Sequence, residues 1–405
     1  MQKTILFIAG SIETVPAVQR AKEMGLHTVV SDGSPTAACF EYAHDFFVAD
    51  TYDVDATVTK AMHYHRNVRP IDGVICVASD VPLTVASVAN ALNLQGIPIS
   101  AAQLASDKLA MKTKFANDGV PIPWFKQIMS ADDLVRLSAK DDRQLIIKPA
   151  DSRGARGVIR ILPGLSLVDA FETARSFSPT NRVMVEEYIE GPQVSTESIV
   201  LNGRLFTPGF ADRNYDRIEK YAPYMIEDGG DLPSALPSEI QEKTNALVAE
   251  AAKSMGINHG VVKGDIVIHN DTPMIIELAA RLSGGYFCTH EIPLSTGVDF
   301  VGAAIRLALN EAIKEEELNP RFSKYICQRY LFPKPGTVTD ILGVEDVRNR
   351  NEIAFCDIRV QPGSIVRPIS NHPARAGMVI AYGNSRSDAR KNAEKAISDI
   401  RIEVS

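Results

Sequence analysis

The chain has 405 residues, 45% of them hydrophobic and 23% charged, a balance that excludes a wholly disordered or collagen-like protein and, at roughly 150 residues per domain, implies two or three domains. Its 43 lysines and arginines against 50 aspartates and glutamates leave a formal net charge of -7, the wrong sign for gripping a nucleic-acid backbone, so no nucleic-acid partner is expected. The five cysteines, Cys39, Cys76, Cys288, Cys327 and Cys356, lie far apart without a Cys-x-x-Cys spacing, which points to reduced thiols rather than a disulfide framework or a zinc cluster.

In chain order, the first apolar run, residues 4–9, is too short for a signal-peptide core or a membrane span; a cytoplasmic protein with no membrane partner is expected. The same run reads as a strand, followed by Gly10, a helical pattern over 14–24 and a second strand over 28–31 ending at Asp32. Residues 73–78 repeat the device and lead into a helix over 83–92. This rhythm predicts a small parallel, Rossmann-like α/β domain over 1–104. The turn after its first strand reads Gly-Ser-Ile-Glu-Thr instead of Gly-x-Gly-x-x-Gly, so the domain reads as scaffold, and a nicotinamide-dependent oxidoreductase lacks its glycine fingerprint.

A helix starting near Ser106 is broken by Gly119, Pro121 and Pro123, after which a new unit begins. Strand-like runs at 145–148 and 183–189 flank an amphipathic helix over 166–177 that opens on Ser166. Helices are expected over 239–255 and 298–318, and paired strands over 261–269 and 274–278 separated by Asn270 and Asp271. From Asn319 onward Pro and Gly rise and strands shorten before a final helix over 387–400. The domain expectation is therefore α/β followed by α+β: 1–104, 105–320 with a mobile lid over about 115–185, and a small β-rich unit over 321–405. The charge run 314–317 reads as a solvated helix end.

Four features carry chemistry. In Ile-Ile-Lys-Pro-Ala-Asp-Ser-Arg-Gly-Ala-Arg-Gly-Val a strand delivers Lys148 to a loop where Gly154 and Gly157 permit close backbone approach to a polyphosphate, and Ser152 adds a donor. The spacing is not that of a Walker P-loop. In Val-Glu-Glu-Tyr-Ile-Glu-Gly-Pro-Gln a strand offers Glu186 to an adenine amino group, with the Tyr188 and Ile189 backbone as the paired donor and acceptor. Asp265 and Glu277, on consecutive strands of a hairpin, place two carboxylates at similar depth, as hard-oxygen coordination of Mg²⁺ requires. Arg281, Ser283, Gly284 and Gly285 follow directly, a fork of donors suited to a transferring phosphoryl group or an anionic intermediate.

Lys108 in Ser-Asp-Lys-Leu-Ala-Met-Lys, together with these four segments in this order, resembles the ATP-grasp superfamily over residues 100–310. The nearest flavour is the branch of carbamoyl-phosphate synthase large-chain-like proteins, L-amino acid ligases and purine-pathway ligases, whose pre-ATP-grasp domain the front unit is similar to. The resemblance implies ATP with Mg²⁺, or Mn²⁺ in its place, and small-molecule carboxylate and amine substrates; a homodimer is common among similar proteins. It also implies Lys108 and Lys148 as phosphate lysines, with Lys148 and Arg281 the catalytic pair. Gly154 and Gly157 then lie in the lid loop, Glu186, Tyr188 and Ile189 form the adenine hinge, and Asp265 and Glu277 are the metal ligands. Three departures stand out: the first metal acid is Asp265 rather than the longer Glu, the usual asparagine of Glu-x-Asn-x-Arg is Ala279, and the ribose position is Gln193.

A carboxylate resists attack by an amine because it is already anionic and lacks a leaving group. The expected function is therefore an ATP-dependent carboxylate-amine ligase that makes an acyl phosphate and releases ADP and phosphate. A lid must cover it, because such an intermediate hydrolyses. The acceptor should lie between the loop of Ser283 and Gly284, the front domain and the C-terminal unit, where Arg375 is expected as a carboxylate clamp, a structural salt bridge being the alternative. His290 reads as structural rather than as a base. Two other readings remain open: carboxyphosphate or carbamoyl-phosphate chemistry, and a nucleotide-binding protein without turnover.

Overall fold

A computed structural model describes residues 2–405. Strands β1 (Thr4–Ile8), β2 (His27–Asp32), β3 (Asp45–Val48) and β4 (Gly73–Ile75) form a parallel sheet in the order β3-β2-β1-β4. Every residue of β1 is buried, because a central parallel strand is covered on both faces and needs a continuous apolar run. The helix Val15–Glu23 starts with Pro16 in its first turn, where the missing N–H costs nothing, and buries Val15, Ala17, Val18 and Ala21.

Strands β5 (Phe125–Ile128), β6 (Leu145–Pro149), β7 (Ile159–Arg160) and β8 (Val183–Glu187) make a separate antiparallel sheet, β5-β8-β6-β7. The helices Ala131–Ser138 and Leu167–Ser176 cover it, each capped by a serine hydroxyl, Ser130 and Ser166, accepting a first-turn N–H. This unit, with its own apolar core, stands where the lid was expected. The helix Lys108–Asp118 overlaps the start of that range, but Met111 and Phe115 pack into the core of the larger sheet instead.

The remaining strands are β9 (Gln193–Leu201), β10 (Arg204–Asn214), β11 (Gly229–Leu232), β12 (Gly260–His269), β13 (Thr272–Ala279), β14 (Tyr325–Tyr330), β15 (Gly336–Leu342), β16 (Ile353–Ile358), β17 (Ile365–Val366), β18 (Gly377–Gly383) and β19 (Arg401–Val404). Eight of them form one sheet in the order β13-β12-β9-β10-β11-β14-β18-β16, and β17-β15-β19 form a small flap. The large sheet crosses the expected boundary at 320, since β11 pairs with β14 from Gly229–Arg329 to Leu232–Ile326.

Strands β9 to β11 are not among the elements expected from the sequence, and the helix expected over 298–318 is shorter. It runs only from Phe300 to Ala308; Asn310 follows in the left-handed region at φ 52° and stops it. Residues 315–318 make a 3-10 turn in its place, with the charged run on the surface.

Candidate active site

One cavity of about 680 Å³ opens between the front domain, the small β5–β8 unit and the large sheet. Lys108, Lys148, Ser152, Gly154 and Glu186 border it, as do the hinge at Tyr188, Ile189 and Gln193. So do Asp265, Glu277, Arg281, Ser283 and Gly284, from the hairpin of β12 and β13 and the loop after it, and Arg375 from the C-terminal unit. Gly157 does not. A side chain there would meet Phe177, Pro149 and Ala174, and its φ of +69° is a glycine conformation, so it serves packing within the β5–β8 unit rather than phosphate approach.

Glu186 departs from the expectation. Its carboxylate is 2% exposed and lies between two lysines, 2.5 Å from Lys112 and in direct contact with Lys148. Burial alone would raise its pKa, but the two cations outweigh it and hold it ionised. It therefore orients lysines rather than facing an adenine edge. Lys112, absent from the expected set, is fully buried; burial pulls its ammonium down to about 8 against the attraction of Glu186. The hinge is narrowed too. The Tyr188 N–H donates to the Gln144 carbonyl at 2.8 Å, so the donor left for an adenine is the Ile189 N–H. Gln193 opens β9 at the cavity wall, where its amide can meet hydroxyls.

Asp265 and Glu277 are direct partners in the register of the β12–β13 hairpin, beside a bulge at Asp265 and Ile266. Asn270 and Asp271 close that hairpin with φ of 48° and 59°, the signature of a two-residue turn with both centres left-handed. Three donors converge on Asp265 Oδ1: Lys263, Arg213 at 2.9 Å and Ser195 at 3.1 Å. Burial would raise this carboxyl, yet Arg213 and Lys263 hold it well below the usual range. Glu277 Oε1 takes Lys108 at 3.0 Å. Among the described residues, Asp265 Oδ2 and Glu277 Oε2 accept no hydrogen bond. Among the described residues no cluster of three or more His, Cys, Asp or Glu makes a self-contained metal cage. The pair fits a hard divalent cation that draws its other oxygens from phosphate and water.

Arg281 donates to Asp80 of the front domain at 2.6 Å; its pKa is raised because Asp80 outweighs the cost of burial. The loop after it departs from the expected fork of donors, because two of its backbone N–H groups are already taken. The Ser283 N–H donates to Glu197 at 2.9 Å and the Gly285 N–H to Glu13 at 2.6 Å. A side chain at Gly284 would lie 2.7 Å from Glu13, so the loop is packed against the Gly-Ser-Ile-Glu-Thr turn of the front domain. Glu13, Asp80, Glu197, Lys263 and Arg213 were missed. Lys263 and Asp265 stand two apart on one strand face, a signal available in the sequence; the others come from remote segments.

Arg375 lies on the cavity with its guanidinium 3.7 Å above the Tyr330 ring and donates to the Glu227 carbonyl at 2.5 Å. It is both braced and cavity-facing. His290 packs against Tyr286 and Phe355, and burial lowers its pKa to about 4, a neutral packed ring. The loop after β6 touches both neighbouring units: Arg153 stacks 3.8 Å over Tyr52 of the front domain, and the His372 N–H donates to the Gly154 carbonyl at 3.0 Å. All five cysteines are free and buried, and no helix of the described residues is long and apolar enough to cross a membrane.

Residues 105–285 match the family described as ATP-grasp domain, and residues 329–405 match L-amino acid ligase C-terminal domain 2. An uncharacterized protein of Sinorhizobium fredii is 24% identical over 399 residues, which is 96% of this chain and 80% of that one. A D-alanine–D-alanine ligase of Desulforudis audaxviator is 26% identical over 199 residues, 46% of this chain and 63% of the ligase, less than two thirds of its length. Among solved structures, an L-amino acid ligase from Bacillus licheniformis superposes with a TM-score of 0.85 at 19% identity, over 100% of this chain and 99% of that one. A phosphoribosylglycinamide synthetase from Anaerococcus prevotii gives 0.76 at 19% identity over all of both chains.

Proposed function

Because the chain belongs to the ATP-grasp proteins, with an ATP-grasp domain followed by a C-terminal domain of the L-amino acid ligase type, we propose that it is an ATP-dependent ligase that phosphorylates a small, amino-acid-like carboxylate and joins it to an amine, releasing ADP and phosphate. The observation that carries this reading is the convergence of Lys108, Lys148, Asp265, Glu277 and Arg281 on one cavity.

In this reading the adenine lies along the hinge, taking the Ile189 N–H, with Gln193 on the ribose. Lys108 and Lys148 meet the phosphates; at about 4 Å and an effective dielectric near 20, one such charge pair is worth roughly 4 kcal/mol. Glu186 and Lys112 hold Lys148 in place from behind. Asp265 and Glu277 would hold Mg²⁺ or Mn²⁺, which would supply charge neutralisation to the phosphoryl group in transfer. Arg281, kept cationic and oriented by Asp80, faces the transferring group and the substrate carboxylate, which Arg375 helps to clamp. Ser283 and Gly284 shape the acceptor side. The lid loop, tied to Tyr52 and His372, keeps water from the acyl phosphate.

A coupled ADP-release assay over pooled amino acids with Mg²⁺ tests the proposal. ATP consumption that requires an acid and an amine together, and that falls at least about a hundredfold in Glu277→Ala, is the expected result. Nucleotide binding without turnover for any pair would leave the protein a nucleotide binder.

A further inference from the structure

The segment after the Ser283–Gly285 loop is unusual. Tyr286 adopts a left-handed conformation at φ 62°, and Phe287–Glu291 then form a π-helical turn, a rare geometry concentrated at functional sites. The turn sets Phe287 and Glu291 on the cavity wall. Glu291 is 4% exposed, and among the described residues its carboxylate makes no hydrogen bond and no ion pair.

Each acidic neighbour holds at least one partner, although Glu197 Oε2 is buried without one. Glu227 holds Arg213 at 2.7 Å and Arg375 at 3.8 Å. Asp231 holds Arg390 at 2.7 Å and Arg386 at 3.3 Å. Glu197 accepts the Ser283 N–H, and Glu13 holds Arg359 at 2.6 Å. Glu227, Asp231 and Glu197 all act to keep Glu291 protonated, in addition to burial. The opposing cation, Arg329, turns its guanidinium to the Gln328 carbonyl at 2.8 Å and to Asp231 at 3.5 Å. An enclosed carboxylate in an acidic surround is costly unless it takes a proton or receives a cation.

Tyr330 lines the same cavity near enough for the Glu291 charge to act on its hydroxyl. Among the described residues that hydroxyl makes no hydrogen bond, and it lies 2.8 Å from where a side chain on Gly285 would begin. One carboxylate and one hydroxyl are too few oxygens for a bare divalent cation, but they match a primary ammonium, which needs a charge and a hydrogen-bond acceptor.

We propose that Glu291, with the Tyr330 hydroxyl, is the anchor for an ammonium group of a bound substrate, in a subsite behind the Ser283–Gly285 loop. The assignment of that group to a ligase substrate rests on the function proposed above; the binding itself does not. An ammonium has two sources, the α-amino group of an amino acid or the terminal amine of a basic side chain.

Calorimetric titration of the full chain, with Mg²⁺ and a non-hydrolysable ATP analogue, separates them. Lysine, norleucine, 6-aminohexanoate and hexanoate are compared on wild type, Glu291→Gln and Glu291→Asp. The expected result is that Glu291→Gln weakens the ammonium ligands at least about tenfold, or 1.4 kcal/mol, and leaves hexanoate within about twofold. Glu291→Asp retains the preference for ammonium ligands and guards against a misfolded Gln variant. Weakening of lysine and norleucine assigns the α-amino group; weakening of lysine and 6-aminohexanoate alone assigns the side chain. Equal weakening of hexanoate, no weakening of any ligand, or no binding of the ammonium ligands to wild type overturns the proposal. Because no turnover is needed, a failed ligase assay on the same protein leaves this result readable.

Discussion

The position of Lys148 is set, through Glu186, by the last residue of the Ser-Asp-Lys-Leu-Ala-Met-Lys segment, which the expected site did not include. Lys112 stands one helical turn after Lys108 in the helix Lys108–Asp118, and its ammonium meets Glu186 in full burial. Lys112→Met keeps the apolar stem and leaves Glu186 to Lys148 alone. Breaking a buried pair costs about 3 kcal/mol, and Lys148 becomes pinned by the freed carboxylate. Urea denaturation should show that loss and nucleotide titration a weaker affinity; unchanged affinity would make Lys112 a purely structural residue. Glu197 gives a pH signature. Burial pushes its carboxyl up to about 7, against the Ser283 hydrogen bonds that lower it, whereas in the unfolded chain a glutamate ionises near 4.3. Through that window the folded state holds a proton that the unfolded chain has released, so this component of stability is present in full at the acid end and fades as pH rises towards 7, by roughly 3 kcal/mol. Glu197→Gln removes it. The stability difference between about pH 4 and pH 8 should shift by that amount relative to wild type, and an unaltered difference would show that Glu197 ionises normally.

At the scale of elements, the β12–β13 hairpin is the part that local rules describe best. Asn270 and Asp271 demand a tight turn, the flanking runs alternate, and the register that results sets Asp265 against Glu277. The β11–β14 seam is the opposite case. Gly229 has φ +130°, and a side chain there would meet the Gln328 carbonyl oxygen at 1.9 Å. The glycine is needed because two backbones approach, and nothing nearby in sequence announces it, since Gln328 is a distant residue. Gly229→Ala should cost at least about 2 kcal/mol, read as a lower urea midpoint; an unshifted midpoint would mean the seam relaxes without cost. Strands β9 and β10 were illegible for a related reason. Buried residues fill almost the whole of β9, including Thr196, Glu197 and Ser198, so neither alternation nor an apolar run marks it, and its polar side chains are explained only by the cavity and the neighbouring strand that they face.

At the scale of the whole molecule, the three expected units are less separate than their boundaries imply. One apolar core joins Ile5 and Phe7 of the front sheet, Phe300 and Ile305 of the following helix, and Met378 and Ile380 of the C-terminal unit. The large sheet continues through residue 320 into β14, β18 and β16. A chain ending at residue 320 would expose β11 as an unpaired edge and uncover that core, so it should aggregate on expression, as light scattering would register. A monodisperse fragment would show the C-terminal unit to be dispensable. The sequence by itself determined the α/β front domain, the hairpin and the order of lysines, acids and arginine, because each follows from short-range periodicity, turn chemistry or spacing. Only the tertiary structure decided that Glu186 holds lysines, that Glu13 and Glu197 occupy the loop's N–H groups, and that Glu291 stands without a partner. Pairing between residues far apart in the chain depends on which surfaces meet on folding, and Coulomb and hydrogen-bond energies act on those distances alone.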